Sequence, residues 1–158
     1  MKYKSFVSKS HTLGASVGIA LCVLAATLLF FDKPRGVIEM VFERPRIEQA
    51  LRDYFAAEMG RDYDRVYRSL APSSDYRRTH SREDFMADMR SNPVRIVKYT
   101  VVGIYGLRPN RDRAAYPAVE RFAQAEVDVE LRYGDSKENT LCNYCFTFLK
   151  EGGTWFKG

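Results

Sequence analysis

The chain has little of the chemistry that metal sites and disulfide scaffolds require. It contains two histidines and three cysteines among 158 residues. No Cys/His pair has the ligand spacing of a zinc site. The sequence also shows no Gly-rich phosphate loop and no nucleophile paired with a base. We therefore expect no metal, no cofactor and no catalytic residue that motif spacing identifies.

Charge is also absent from residues 13–31, between Leu13 and Phe31. As a helix, this run of about 19 residues would measure roughly 28 Å, close to the hydrocarbon thickness of a bilayer. Residues 1–12 contain three lysines and no acid. The positive-inside rule then predicts a cytoplasmic tail at 1–12, a single transmembrane anchor at 13–31 and an extracytoplasmic remainder. This topology corresponds to a periplasmic domain on a bacterial inner membrane.

A cleaved signal peptide is the alternative interpretation of the same segment, because its first region is also basic. Ala25 and Ala26 are small enough for cleavage, but the apolar run continues directly after them. This continuation favours an uncleaved signal-anchor. Gly14 and Gly18 form a GxxxG spacing that allows close helix contact, so dimerisation within the membrane is also open.

The charge balance argues against nucleic acid as a partner. The whole chain has a net charge of +5, but residues 44–158 hold 20 basic and 17 acidic residues. That segment therefore lacks the strong positive excess of a nucleic-acid-binding domain. Sixteen of its basic residues are arginines, which suit protein interfaces.

Two cysteines, Cys142 and Cys145, form a CNYC sequence. On a strand their side chains point to opposite faces, which places them too far apart for a disulfide without a bulge. We expect structural cysteines; an extracytoplasmic disulfide and a redox pair are the alternatives.

Apolar periodicity predicts three helices after a linker at residues 32–44. The first begins at Pro45 and carries an apolar stripe through Ile47, Leu51 and Phe55 to a stop at Gly60. Asp62 caps the second helix. Ser81, with Asp84 three residues later, resembles the capping box of a third helix that ends before Pro93.

The period then changes to that of strands. Residues 94–107 are rich in β-branched and aromatic side chains, and residues 120–133 alternate between apolar and polar. Residues 140–149 and 154–156 follow as further strands, the last two joined by a Gly152-Gly153 turn. We therefore expect an α+β fold at residues 45–158, with three helices packed on a curved antiparallel sheet of about four strands.

Two stretches resemble a known family. YFAAEMGRDYDRVYRSLAPSS is similar to the opening helices of nuclear-transport-factor-2-like (NTF2-like) domains, and FTFLKEGGTWFKG is similar to their last hairpin. The resemblance implies a cone, in which a bent sheet wraps around a long helix and encloses a pocket. It also extends to the architecture of a single-span inner-membrane component of type IV secretion machines.

The family includes isomerases and dehydratases with an Asp or His in the pocket, but this chain offers no matching group. His80 lies at a predicted helix start and should be exposed, and Asp53 and Glu58 are placed on the outer side of the first helix. Six tyrosines could line the pocket: Tyr54, Tyr63, Tyr67, Tyr99, Tyr105 and Tyr144. The alternative is that these rings simply fill the core.

Three functions stay open at this point. The first is a non-catalytic, membrane-anchored interaction or assembly domain that binds a protein partner or a second copy of itself. Its candidate contact residues lie in an Arg-rich loop and on the polar face of the second long strand: Arg108, Arg111, Arg113, Asp128, Glu130 and Arg132. The second is a module that binds a small apolar ligand in the cone. The third is a pocket isomerase or hydrolase, which would need a buried ionisable group.

Overall fold

The computed structural model describes residues 32–158, so the predicted tail and anchor lie outside the described residues. The chain divides into two compact units, Met1–Glu39 and Met40–Gly158. Only the opening residues of one helix are described for the first unit. Among residues 32–158, no helix has the length and apolar character that a bilayer crossing requires.

The longest helix among residues 32–158, α1, runs over Asp32–Met59. It begins ahead of the expected start at Pro45, so residues 32–44, expected to be a linker, are helical. Pro45 costs the helix one hydrogen bond to residue 41, but its ring lies on the exposed side. Ile47, Leu51 and Phe55 are at most 1% exposed, which confirms the predicted stripe.

Three short helices follow: α2 (Tyr63–Ser69), α3 (Asp75–Thr79) and α4 (Arg82–Ser91). The Asp62 carboxylate accepts a hydrogen bond from the Arg65 amide and caps α2. Ser81 and Asp84 form the predicted capping box of α4. Helix α3 was not predicted, because its five residues are too few for a periodic pattern.

Within the described part of the chain, the sheet contains four antiparallel strands in chain order: β1 (Val94–Pro109), β2 (Val119–Tyr133), β3 (Asn139–Glu151) and β4 (Thr154–Lys157). Three register shifts interrupt the pairing of β1 with β2, and such bulges increase twist and bend a strand. Gly152 and Gly153 both have positive φ, as the tight β3–β4 hairpin turn requires. The expected α+β fold with a curved antiparallel sheet is confirmed.

The main core lies between α1 and the inner face of the sheet. The predicted alternation of β2 is confirmed from Ala123 to Leu131, whose inner residues are buried. Tyr133, which the alternation assigned to the same face, is 54% exposed because it is the last residue of the strand. A second cluster joins α2 to α4 through Val66, Leu70, Phe85 and Met86.

Candidate functional site

A pocket of about 240 Å³ lies where the ends of α1 and α4 meet the start of β1. Its lining is predominantly polar or charged. Its aliphatic lining residues are Met59, Met89, Val94, Ile96 and Val97. The charged side chains that line it are Glu58, Arg61, Arg95 and Arg132.

Glu58 is the most unusual group in this pocket. Its Oε2 atom is buried and has no hydrogen-bond partner among residues 32–158. Burial raises the pKa of the Glu58 carboxyl, and the charge of Lys157 and a contact with Tyr54 only partly offset that effect. The pocket therefore contains a carboxylate with unused hydrogen-bonding capacity.

The predicted position of Glu58 on the outer side of α1 is wrong. Glu58 follows Leu51 by seven residues and Tyr54 by four, so it lies on the same helical face as the buried stripe. This spacing could have placed Glu58 on the buried face of the helix, but a glutamate is usually expected at the surface. Asp53, by contrast, is 44% exposed at its side chain and pairs with Arg65 at 2.8 Å.

Tyr54 and Lys157 extend the site behind Glu58. Burial raises the pKa of the Tyr54 hydroxyl, and the neighbouring Glu58 charge adds to the effect. Burial lowers the pKa of the Lys157 ammonium, against the opposing charge of Glu58. The Lys157 Nζ lies 5.2 Å from the centre of the Tyr54 ring and 5.3 Å from that of Phe146. The two rings contact the cation, whose charge also acts on Glu58.

Three arginines make the pocket electropositive. Arg61 and Arg95 are exposed, and Arg132 is half-buried, with its Nε donating to Asn139 at 3.0 Å. Arg61 has a φ of 56°, the left-handed conformation that follows the end of α1. Three guanidinium groups in the lining of one pocket favour a bound anion.

The structure does not bring the six candidate tyrosines into one pocket. Tyr63 is the member that lines the 240 Å³ pocket. Tyr54 and Tyr99 both pack on Phe55, with ring centres 5.3 and 4.4 Å away. Tyr67 contacts Phe85 in the second cluster.

The other two tyrosines lie on β1 and β3. Tyr144 stacks on Phe146 on the inner face, at 5.7 Å between ring centres. Tyr105 pairs with Gln124 on the outer face, where its hydroxyl contacts the Cys145 sulfur at 3.4 Å. Tyr105 therefore points away from the core, because strand residues alternate between faces.

Cys142 and Cys145 are both free thiols. Cys142 is half-buried beside the main core, and Cys145 is exposed on the outer face. The predicted alternation of the pair is confirmed. His80 is exposed, as expected, and stacks on Tyr76 at 4.3 Å.

The six candidate contact residues form two separate groups. Arg108 lies over the Phe122 ring at 4.7 Å, and Arg111 and Arg113 are exposed in the loop that follows β1. The second group occupies the outer face of β2 near its other end. There, each member binds a neighbouring side chain: Asp128 to Asn143, Glu130 to Lys98 and Arg132 to Asn139. From Phe122 to Asp128 is roughly 20 Å along the strand, so the groups do not form one surface.

Between residues 32 and 158, no three His, Cys, Asp or Glu side chains are grouped closely enough to hold a metal ion. Burial shifts the pKa of three other groups that interact with one another: Tyr54, Glu58 and Lys157.

Comparison with known proteins gives likenesses of fold. No protein-family model matches the chain, and no curated protein matches it either. A solved NTF2-like protein of unknown function from Prochlorococcus marinus is similar at a TM-score of 0.45, with 11% identity over 72% of this chain and 86% of that chain. The solution structure of a SEC-C motif containing protein from Rhodopseudomonas palustris is similar at a TM-score of 0.50. It shares 16% identity and covers 69% of this chain and 72% of that chain, and this likeness shows a common fold.

Proposed function

We propose that residues 40–158 form an NTF2-like ligand-binding domain, held at a bacterial inner membrane by residues 13–31. The observation that carries the ligand site is the buried Glu58 oxygen without a partner, in a pocket that three arginines also line. Leaving a buried acceptor unpaired costs about 1–3 kcal/mol. A ligand that donates to this oxygen once the Glu58 carboxyl turns toward the pocket would recover part of that cost.

The lining defines the ligand's chemistry. The guanidinium groups of Arg61, Arg95 and Arg132 suit a carboxylate or phosphate, and Glu58 suits a hydroxyl or amine on the same molecule. The expected apolar ligand is thus replaced in this proposal by a small polar anion. A volume near 240 Å³ lies below the roughly 300–1,000 Å³ of sites for drug-sized molecules, which favours a small metabolite.

Calorimetric titration of the full chain in detergent tests this proposal. The probes are small 2-hydroxycarboxylates and phosphate monoesters, each compared with its counterpart that lacks the hydroxyl. We expect the hydroxylated probe to bind, and Arg95→Gln and Glu58→Gln each to weaken binding at least tenfold. Arg111→Gln, which changes an exposed arginine outside the pocket, is the matched control and should bind as the wild type does. Equal binding in all four proteins, or none for any probe, would count against the proposal.

A pocket isomerase or hydrolase is the second candidate, and the buried Glu58 is the observation that favours it. A carboxyl with a raised pKa can act as a general acid or base near neutral pH. Turnover of a bound probe that disappears in Glu58→Gln, with binding retained, would support catalysis over simple binding.

A further inference from the structure

The sheet has two long edges, which differ in regularity and in charge. Strand β1 is one edge, because β2 is its neighbour in the order β1-β2-β3-β4. The other edge consists of β4 and part of β3, because β4 pairs only with Phe148–Glu151 of β3. In the described chain, residues 139–146 of β3 therefore have β2 on one side and no strand on the other.

The β1 edge has the features by which proteins prevent strands from adding to a sheet. Its pairing with β2 shifts register three times, and each shift distorts the edge. Arg95, Lys98 and Arg108 place charges along it, and all three are exposed. A strand that approached this edge would meet irregular backbone and a row of positive charges.

The free part of β3 has neither feature. Its register with β2 is continuous from Arg132↔Asn139 to Arg121↔Lys150. Residues 140–147 (TLCNYCFT) contain no charged side chain, no proline and no glycine. Leu141 is 66% exposed and Tyr144 is 40% exposed, although the later half of the same strand is buried. A regular, uncharged, partly apolar edge is the kind that pairs with another strand.

We propose that the free edge of β3, residues 139–146, pairs antiparallel with the same edge of a second copy of this chain. A two-fold axis near Asn143 would bring Leu141 of one copy opposite Cys145 of the other. The segment is self-compatible, because its lack of charge means that no like charges meet in an isologous contact. The free run is also bounded on both sides, by the turn before Asn139 and by Gly158, whose amide donates to the Thr147 carbonyl at 2.8 Å. The paired sheet would cover the exposed Leu141 and Tyr144 side chains in both copies.

The test is the oligomeric state of the full chain in mild detergent, measured by light scattering and by hydrogen exchange. We expect a dimer whose amides in residues 139–146 exchange more slowly as concentration rises. The double variant Leu141→Lys with Cys145→Lys places lysines opposite each other across the two-fold axis, and it should dissociate at least tenfold more readily. Both positions are exposed in the single chain, so its melting temperature should stay close to that of the wild type.

Val102→Lys is the matched control, since Val102 is 54% exposed on the opposite edge strand. It should remain a dimer. A monomeric wild type would overturn the proposal. A dimer that persists in the double variant, with fast exchange throughout residues 139–146, would also overturn it and would place the contact elsewhere, such as at Gly14 and Gly18. Neither outcome affects the ligand proposal, because the pocket lies at other residues.

Discussion

Glu43 joins α1 to the sheet through a buried ion pair. Its Oε1 accepts from the Lys150 Nζ at 2.6 Å, and its Oε2 accepts from the Trp155 indole at 2.8 Å. The Glu43 and Lys150 side chains are 13% and 11% exposed. Burial raises the pKa of Glu43, but these two hydrogen bonds and the charges of Lys150 and Arg46 together outweigh it and hold the pKa below its ordinary value. The pKa values of Glu43 and Glu58 thus shift in opposite directions, because the contact with Tyr54 and the charge of Lys157 do not offset the burial of Glu58.

The contrast predicts how stability depends on pH at Glu58. The pKa of Glu58 in the folded protein lies above the ordinary value of 4.5. At pH values between 4.5 and this raised pKa, the folded state therefore binds more protons than the unfolded state. Stability at this group is therefore greatest at low pH and falls as pH rises through that window. Glu58→Gln should remove this fall and raise the free energy of unfolding at pH 8 by on the order of 1 kcal/mol.

Urea denaturation from pH 4 to pH 8 measures the effect. Glu138→Gln is the control, because Glu138 is an exposed acid of the β2–β3 turn and should leave the wild-type pH dependence intact. A Glu58→Gln variant that loses stability with pH as steeply as the wild type would show that Glu58 is not the responsible group.

At the scale of elements, Pro45 is a position where local helix preference and tertiary structure disagree. Proline suits the first helical turn, so the local sequence predicts a helix start there. The helix instead continues through it, since Glu43 and Ile47 on either side are fixed by the sheet and the core. Contacts between residues more than 100 positions apart decide this boundary, and no local pattern contains them.

Pro45→Ala should therefore stabilise the domain. The alanine restores an amide donor to the carbonyl of residue 41, and the gain is about 2 kcal/mol once the greater freedom of the unfolded chain is subtracted. Pro72→Ala is the matched control. Pro72 is exposed in the loop between α2 and α3, where losing proline should lower stability by about 0.4–1 kcal/mol. Changes of equal sign in the two variants, measured by urea denaturation, would contradict this account.

At the scale of the whole molecule, the fold was more predictable than the site. Strand alternation at Ala123–Leu131, the capping box at Ser81 and the glycine turn at 152–153 are local signals, and each is present in the structure. The pocket combines the ends of α1, α4 and β1, so its lining depends on packing between distant segments. The many tyrosines suggested an aromatic pocket, whereas no periodicity or motif marks Arg61 and Arg95 as lining residues.

The proposed anchor at residues 13–31 and the basic tail before it would set the orientation of the whole chain in the membrane. An alkaline phosphatase fused after Gly158 should be active in bacteria, because the positive-inside rule places that end outside the cytoplasm. The fusion should stay in the membrane pellet after alkaline carbonate, with Met1 still at its N-terminus. Reversing the charges with Lys2→Glu, Lys4→Glu and Lys9→Glu should reduce phosphatase activity several-fold by favouring the inverted orientation. Lys33→Glu, on the other side of the apolar run, is the matched control and should not reduce it. An N-terminus that begins after Ala26 would identify a cleaved signal peptide, and an inactive wild-type fusion would place the domain in the cytoplasm.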